Sequence, residues 1–149
     1  MKVFSLNSRH QKVISRCIDV INNTGLLLDT HLYSDSYGNE YVLLSVPQFS
    51  VSDPVIQDRT AFEALNTHTH VLSDLSKRDF KDLRVIAPHI CRQLLTYLNG
   101  KYPGKHFCVF ASAVLHDDFI IRFHQKWENE TPYYDVHEGK KEWVVLEES

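Results

Sequence analysis

A chain of 149 residues, 43% hydrophobic and 23% charged, has the composition of a globular protein and is long enough to bury the core of one domain. The formal net charge of −3 argues against a general nucleic-acid binder, and five glycines and five prolines argue against collagen-like or low-complexity sequence. Because no apolar run reaches about eighteen residues and no signal-peptide core stands near Met1, we expect a cytoplasmic protein with one domain, residues 1–149, and no membrane contact.

The first third of the chain predicts a helix followed by a hairpin. From Ser8 onward, apolar residues recur every three or four positions, which predicts a helix that ends at the left-handed cap Gly25. Residues 25–33 and 40–46 have strand composition and are separated by a stretch rich in Ser, Asp, Gly and Asn, which is typical of a turn. Pro47 is expected to end the second strand.

The pattern weakens between residues 48 and 76. Asp53-Pro54 is interpreted as the start of a short helix that includes Phe62 and Leu65. The stretch 66–70 is polar and irregular. A connection this long in a compact domain is either functional or contains structure that the pattern does not reveal.

A long helix is the strongest local prediction. Ser76 resembles a cap, and apolar residues recur at helical spacing from Phe80 to Leu98. Because Pro88 lies inside this pattern, we expect either a kink or two helices that meet there. Residues 102–104 then turn the chain.

Two apolar runs around His116-Asp117-Asp118 predict a β-hairpin. Alternate residues of the two runs fall on one face of a sheet, and these are Phe107, Val109, Ala111, Ala113, Leu115, Phe119, Ile121, Phe123 and Trp127. The opposite face begins apolar and ends basic, and we expect a helix to cover part of it. Residues 128–141 are expected to be a loop, and residues 143–146 a last strand. The order of elements predicts an α+β fold in which an antiparallel sheet of hairpins packs against two main helices.

Cysteine and histidine spacing does not predict a metal or cofactor site. Cys17, Cys91 and Cys108 are far apart among apolar residues, which is typical of buried thiols. The sequence also has no phosphate loop, dinucleotide fingerprint, nucleophile elbow or H-E-x-x-H motif. Because catalytic residues are often scattered along a chain, these absences argue against an enzyme without excluding one, and we expect neither a cofactor nor a metal. The alternative is a small metal- or anion-binding enzyme or ligand-binding domain that uses His68, His70, Arg122 and His124, with His116 nearby.

Residues 128–149 concentrate negative charge. Seven acidic residues against two lysines give this end a formal charge of −5, and the rest of the chain therefore carries +2. Such an end can steer a basic partner towards the protein, although a solvated tail is the simpler explanation.

The segment HDDFIIRFHQKW, residues 116–127, followed by ENETPYYD, residues 128–135, resembles small bacterial immunity proteins of contact-dependent growth inhibition and related polymorphic toxin systems. The resemblance covers about the last third of the chain. It implies a non-enzymatic protein that binds and neutralises a cognate toxin domain, often a nuclease. Acidic and aromatic residues would then form the contact, and we predict Asp117, Asp118, Trp127, Glu128, Glu130, Tyr133, Tyr134 and Asp135 as partner-binding residues. We expect no nucleic-acid partner and a monomer or weak homo-oligomer. A further alternative is a homo-oligomeric scaffold with an exposed strand edge near Trp143.

Overall fold

The computed structural model describes residues 8–15, 30–44 and 56–149. Residues 8–15 form helix α1. The other elements, in chain order, are β1 (His31–Ser34), β2 (Glu40–Leu43), α2 (Arg59–Thr67), β3 (Thr69–Leu72), α3 (Lys77–Lys101), β4 (Phe107–Val114), β5 (Phe119–Gln125), β6 (His137–Glu138) and β7 (Glu142–Glu148).

The strands form two antiparallel sheets. The larger sheet has five strands in the order β3-β5-β4-β7-β6, and β1 pairs with β2 in a separate two-stranded sheet. Helix α3 packs against β4 and β7 of the larger sheet. The predicted α+β class, with antiparallel hairpins packed on helices, is confirmed.

The predicted hairpin is the centre of the larger sheet. β4 and β5 pair in register from Phe107 with Gln125 to Ala113 with Phe119. His116 occupies the turn with a positive φ of 65°, a conformation that is uncommon for a residue other than glycine. The alternation that predicted the two faces is correct for the strands, since Phe107 and Ile121 and their same-face neighbours are buried in the main core with α3.

Helix α3 supplies the other half of the main core. It begins after Ser76, whose hydroxyl accepts a hydrogen bond from the backbone N of Asp79 at 3.0 Å, as the sequence predicts. The helix is continuous through Pro88, so the expectation of two helices meeting there is wrong. Its buried apolar stripe from Phe80 to Leu98 packs against the sheet, and burial of such a stripe stabilises a helix more than propensity does.

The weakly patterned region contains two elements that the sequence reveals only in part. Helix α2 includes the predicted Phe62 and Leu65, but it begins at Arg59, with Asp58 as the cap that accepts a hydrogen bond from Ala61 N at 2.8 Å. The irregular stretch 66–70 holds the end of α2 and the start of strand β3. The helix start expected at Asp53-Pro54 is therefore misplaced, and those two residues lie outside the described part of the chain.

The first hairpin is confirmed where the structure describes it, with β1 and β2 joined by a turn that Asp35 organises through hydrogen bonds from Tyr37 N and Asn39 N. The remainder of the predicted first helix and of these strands lies outside the described residues, as do Cys17, Gly25 and Pro47. Cys91 and Cys108 are buried free thiols, as predicted, and burial raises the pKa of Cys108 to about 11.

The second face of the sheet carries a smaller apolar cluster. Cys108, Phe110 and Val144 are buried there, and Tyr133 and Tyr134 pack against them. An irregular segment after β5 lies over this cluster. Helix α2 packs against β5, and Arg122 on the same face donates to Ala64 O of that helix, which agrees with the expectation that a helix covers part of this face. Within the described ranges, no helix is long and apolar enough to cross a membrane.

The end of the chain contains one short strand that the sequence does not predict. In the expected loop, β6 pairs Glu138 with Trp143 and His137 with Val144 of β7. The last strand is confirmed and is longer than predicted. β6 covers the edge of β7 at Trp143 and Val144 and pairs with no later residue of β7, so it covers only part of the edge that we expect to be exposed near Trp143.

Candidate functional site

The eight predicted partner-binding residues lie in two places. Asp117 and Asp118 occupy the turn of the β4–β5 hairpin, whereas the other six follow the far end of β5. The seven residues of β5 separate the two groups by roughly 20 Å at about 3.3 Å per residue. The structure therefore brings together Trp127 to Asp135 as one surface and leaves the hairpin turn apart.

We define the acidic segment as residues 127–138. It contains four acidic residues and no lysine or arginine, and it runs from the end of β5 to β6. Glu128 and Asp135 are exposed, and the exposed fraction of Val136 is 56%. The segment thus presents acidic and apolar groups to solvent, while the partly buried Trp127, Glu130, Tyr133 and Tyr134 contact the fold.

The segment begins at Trp127, which is anchored to the fold. Its indole Nε1 donates a hydrogen bond to Glu63 Oε1 at 2.7 Å. The Arg59 guanidinium lies 4.7 Å from the centroid of the Trp127 ring, and the Tyr41 ring lies 5.2 Å away, centroid to centroid. Trp127 is half-buried by these contacts, so only part of its ring is available to a partner.

Glu63 holds several elements together from within helix α2. Its Oε2 accepts hydrogen bonds from Val42 N and Gln125 Nε2, and its Oε1 accepts from Gln125 N and Trp127 Nε1, at 2.7–2.8 Å. The side chain is fully buried. Burial raises the pKa of Glu63, and the N–H donors oppose that shift without cancelling it.

Sequence reasoning missed Glu63 because its partners are 21, 62 and 64 positions away. A local signal existed only for the helix that carries it, since Asp58 stands at the capping position. No helix periodicity reveals which acidic residue will be buried, because that depends on donors from other elements.

Glu130 fixes the middle of the acidic segment to the start of α2. Its carboxylate accepts hydrogen bonds from Arg59 Nε at 2.6 Å and from Thr60 N at 2.7 Å. Burial by itself would raise the pKa of Glu130, but the hydrogen bonds from Thr60 and Arg59 outweigh it and hold the pKa below its ordinary value. Glu130 therefore positions the segment through contacts within the chain.

The aromatic pair of the segment covers Arg122. The guanidinium lies 5.0 Å from the centroid of the Tyr133 ring and 5.1 Å from that of Tyr134, and Arg122 is 8% exposed. Tyr134 also meets Phe110 edge to face, with centroids 5.6 Å apart. These contacts lay the segment onto the second face of the sheet.

His124 ties the backbone of the segment to β5. Its Nδ1 donates to Gln125 O at 2.7 Å, and its Nε2 accepts from Tyr133 N at 3.2 Å, which is the pattern of a neutral imidazole. Burial lowers the pKa of His124, in agreement with that pattern. The ring is 2% exposed and has two partners already.

The four residues of the alternative site have different surroundings. His68 and His70 are exposed next to or on β3, where His70 contacts Asp118, while Arg122 and His124 lie beneath the two tyrosines. Across residues 8–15, 30–44 and 56–149, no three His, Cys, Asp or Glu side chains are grouped so that they could hold a metal ion. Comparisons with protein-family models, with curated proteins and with solved structures found no match to this chain.

Proposed function

We propose that this protein is an immunity protein that neutralises a cognate toxin domain by binding it through the acidic segment. One observation carries the proposal: residues 127–138 contain four acidic residues and no lysine or arginine, and Glu130, Tyr133 and Tyr134 anchor the segment on the fold. The surface is thus both charged and ordered before a partner arrives.

Charge supports a basic partner. A nuclease toxin carries a basic cleft that holds phosphates. Opposite charge on an inhibitor speeds its association and disfavours wrong partners. The exposed Glu128 and Asp135 supply such charge, while Val136 offers an apolar contact next to Asp135.

Order within the segment supports tight binding. A loop that must become ordered on binding loses conformational entropy, and this loss weakens the complex. Here the segment is held at Trp127, Glu130 and Tyr133 by contacts to Glu63, Arg59 and His124. Less ordering therefore remains to be done when the partner binds.

The test is calorimetry with the toxin domain encoded by the neighbouring upstream gene, followed by kinetics. We expect a one-to-one complex with a Kd of about 1 nM, which corresponds to about −12 kcal/mol. Replacing Glu128→Lys together with Asp135→Lys should slow association on the order of tenfold, because rim charges act mainly on the association rate.

A double variant elsewhere provides the control. Asp74→Lys with Asp79→Lys makes the same change in net charge just before and within the first turn of α3. We expect it to leave the association rate within about twofold of the unmodified protein. No complex with the toxin domain would reject the function, whereas equal effects of both double variants would reject the acidic segment as the contact surface.

A further inference from the structure

A cavity of about 550 Å³ opens on the opposite face of the sheet, between the first half of α3 and the β6–β7 turn. Its apolar wall is formed by Phe80, Val85, Leu115 and Trp143. Val85 is 38% exposed, although it stands on the helix that supplies the main core. The volume lies in the range of pockets that hold small molecules, about 300–1,000 Å³.

The rim of this cavity is basic in a protein of net negative charge. Lys77, Lys81 and Arg84 of α3 and Lys140 of the β6–β7 turn line it, and Glu138 is the single carboxylate among the lining residues. Four cationic groups against one carboxylate give the rim a strong positive potential. Such a rim above an apolar wall is complementary to a molecule that has a negative head and an apolar body.

Hydrogen bonds hold the walls in place. Trp143 Nε1 donates to Phe80 O at 3.1 Å, which fixes the indole against α3. Leu115 N donates to Lys141 O at 2.8 Å, and Gly139 N donates to Glu142 O at 2.9 Å. The hairpin turn, the β6–β7 turn and the helix are thus joined around the cavity, which is formed without a ligand.

Arg84 is the group best placed to receive a negative charge. It lies 6.0 Å from the centroid of the Trp143 ring, and its Nη2 is 3.5 Å from Glu138 Oε2, whose side chain is 73% exposed. Its Nε is buried and has no hydrogen-bond acceptor in the described part of the chain. The guanidinium therefore retains donor capacity, and a ligand carboxylate can replace the loosely held Glu138.

We propose that this cavity binds a small amphipathic carboxylate, with its unbranched hydrocarbon chain against Phe80, Leu115 and Trp143 and its carboxylate at Arg84 and Lys81. A chain of about ten carbons with its head group fits within this volume. The site shares only Glu138 with the acidic segment, and its occupancy does not depend on the proposed toxin partner.

The experiment is titration of the isolated protein with sodium decanoate, followed through backbone amide shifts in two-dimensional NMR and through calorimetry. We expect shifts concentrated at Lys81, Arg84, Leu115 and Lys140 and a submillimolar Kd. Acetate carries the head without the chain, and 1-octanol carries a chain without the charge. Each should bind at least about tenfold more weakly than decanoate, since each makes half of the contacts.

Matched variants assign the head group. Arg84→Gln should weaken decanoate binding about fivefold or more, and Lys81→Gln about threefold, because each removes a charged donor. Arg78→Gln makes the same change of charge on an exposed residue of α3 outside the cavity, and its Kd should stay within about twofold of the unmodified protein. If Arg84→Gln unfolds the protein, Lys81→Gln still decides the question.

Three results would overturn the proposal. The first is that amide shifts do not saturate at millimolar decanoate. The second is that the Arg78 and Lys81 variants weaken decanoate binding equally. The third is that the protein sediments with phosphatidylglycerol vesicles but does not respond to free decanoate. The last result would assign the basic rim to a membrane surface. A toxin complex that forms normally while decanoate fails to bind would reject this site and leave the proposed function intact.

Discussion

The Glu63 carboxylate accepts hydrogen bonds from backbone and side-chain N–H groups at the place where β2, β5 and Trp127 meet. All four of its hydrogen-bond partners are N–H groups, and each carboxylate oxygen accepts two of these hydrogen bonds. A buried group with this role is costly to alter, because its loss leaves several donors without acceptors.

Replacing Glu63→Gln tests this role with almost no change in size. The new amide NH₂ would face two N–H donors, and we expect a loss of about 3 kcal/mol in the free energy of unfolding. Urea unfolding followed by circular dichroism measures it. Glu128→Gln is the control, because Glu128 is exposed, and should change stability by less than about 0.5 kcal/mol. A similar, small change in both variants would mean that the four hydrogen bonds do not stabilise the fold.

His124 predicts a specific dependence of stability on pH. Burial lowers the pKa of its imidazole in the folded state, and the charges of Glu130 and Asp58 oppose this only in part. Between the lowered folded pKa and the unfolded value near 6.5, the unfolded chain binds more protons. The contribution of His124 is therefore complete above about pH 6.5 and is lost as the pH falls towards the folded pKa.

The measurement is the free energy of unfolding of the unmodified protein and of His124→Gln from pH 8 to pH 5. The difference between the two should be constant above about pH 7 and shrink at lower pH, because glutamine does not titrate. A difference that stays constant down to pH 5 would contradict the lowered pKa of His124.

Among the elements, the β6–β7 hairpin depends on one close approach. A Cβ added to Gly139 would lie 2.7 Å from the backbone O of Glu142, whereas a Cβ added to Gly100 near the end of α3 would meet nothing within 4 Å. The same substitution should therefore act in opposite directions at the two positions.

We expect Gly139→Ala to destabilise the protein by roughly 1–2 kcal/mol, since the turn must open to relieve the overlap. Gly100→Ala should stabilise it by about 0.5 kcal/mol through reduced entropy of the unfolded chain and better helix propensity. Thermal unfolding of both variants provides the comparison. If Gly139→Ala raises the melting temperature as Gly100→Ala does, the hairpin does not have this close contact.

Elements with a long periodic pattern could be predicted from the sequence. α3 repeats its apolar spacing over about five turns, from Phe80 to Leu98. The β4–β5 hairpin alternates over two runs, so the local pattern is sufficient to predict both elements. β3 and β6 have four and two residues, too few for a period to appear, and β6 exists because it pairs with β7.

The candidate site was predictable only as a stretch of residues. Composition identifies an acidic and aromatic segment after Trp127, and the structure keeps that stretch together. Composition does not reveal that Glu130 binds Arg59 or that Tyr133 covers Arg122, because these partners are 71 and 11 positions apart in the chain. The basic cavity could not be predicted from the sequence for the same reason, since its lining comes from three separate stretches.

For the whole molecule, the five-stranded sheet separates two surfaces of opposite charge. The acidic segment lies over the smaller cluster with Phe110, whereas the basic cavity opens beside Trp143 on the side of α3. The sheet between them is continuous, and Glu138, at the end of the acidic segment and on the rim of the cavity, is the one residue that the two surfaces share. A protein partner on one face and a small anion on the other can therefore bind together wherever the partner does not need Glu138.

The contribution of conformational order in the acidic segment to binding can be tested separately from the contribution of its charge. Arg59→Met removes the ion pair with Glu130 and keeps every acidic residue, while the methionine can still pack on Trp127. Amide hydrogen exchange of residues 128–135 should become several-fold faster, because one of the segment's anchors is lost. Binding to the toxin domain should show a faster dissociation rate with an almost unchanged association rate, since the exposed charges remain.

Arg92→Met is the matched control for this change. Arg92 also pairs with a glutamate, Glu147, but its side chain is 59% exposed and lies outside the acidic segment. An exposed ion pair contributes little, so exchange in residues 128–135 and both rate constants should remain as in the unmodified protein. Unchanged exchange in Arg59→Met would show that the ion pair does not order the segment. Faster exchange with an unchanged dissociation rate would instead show that order in the segment does not strengthen the complex.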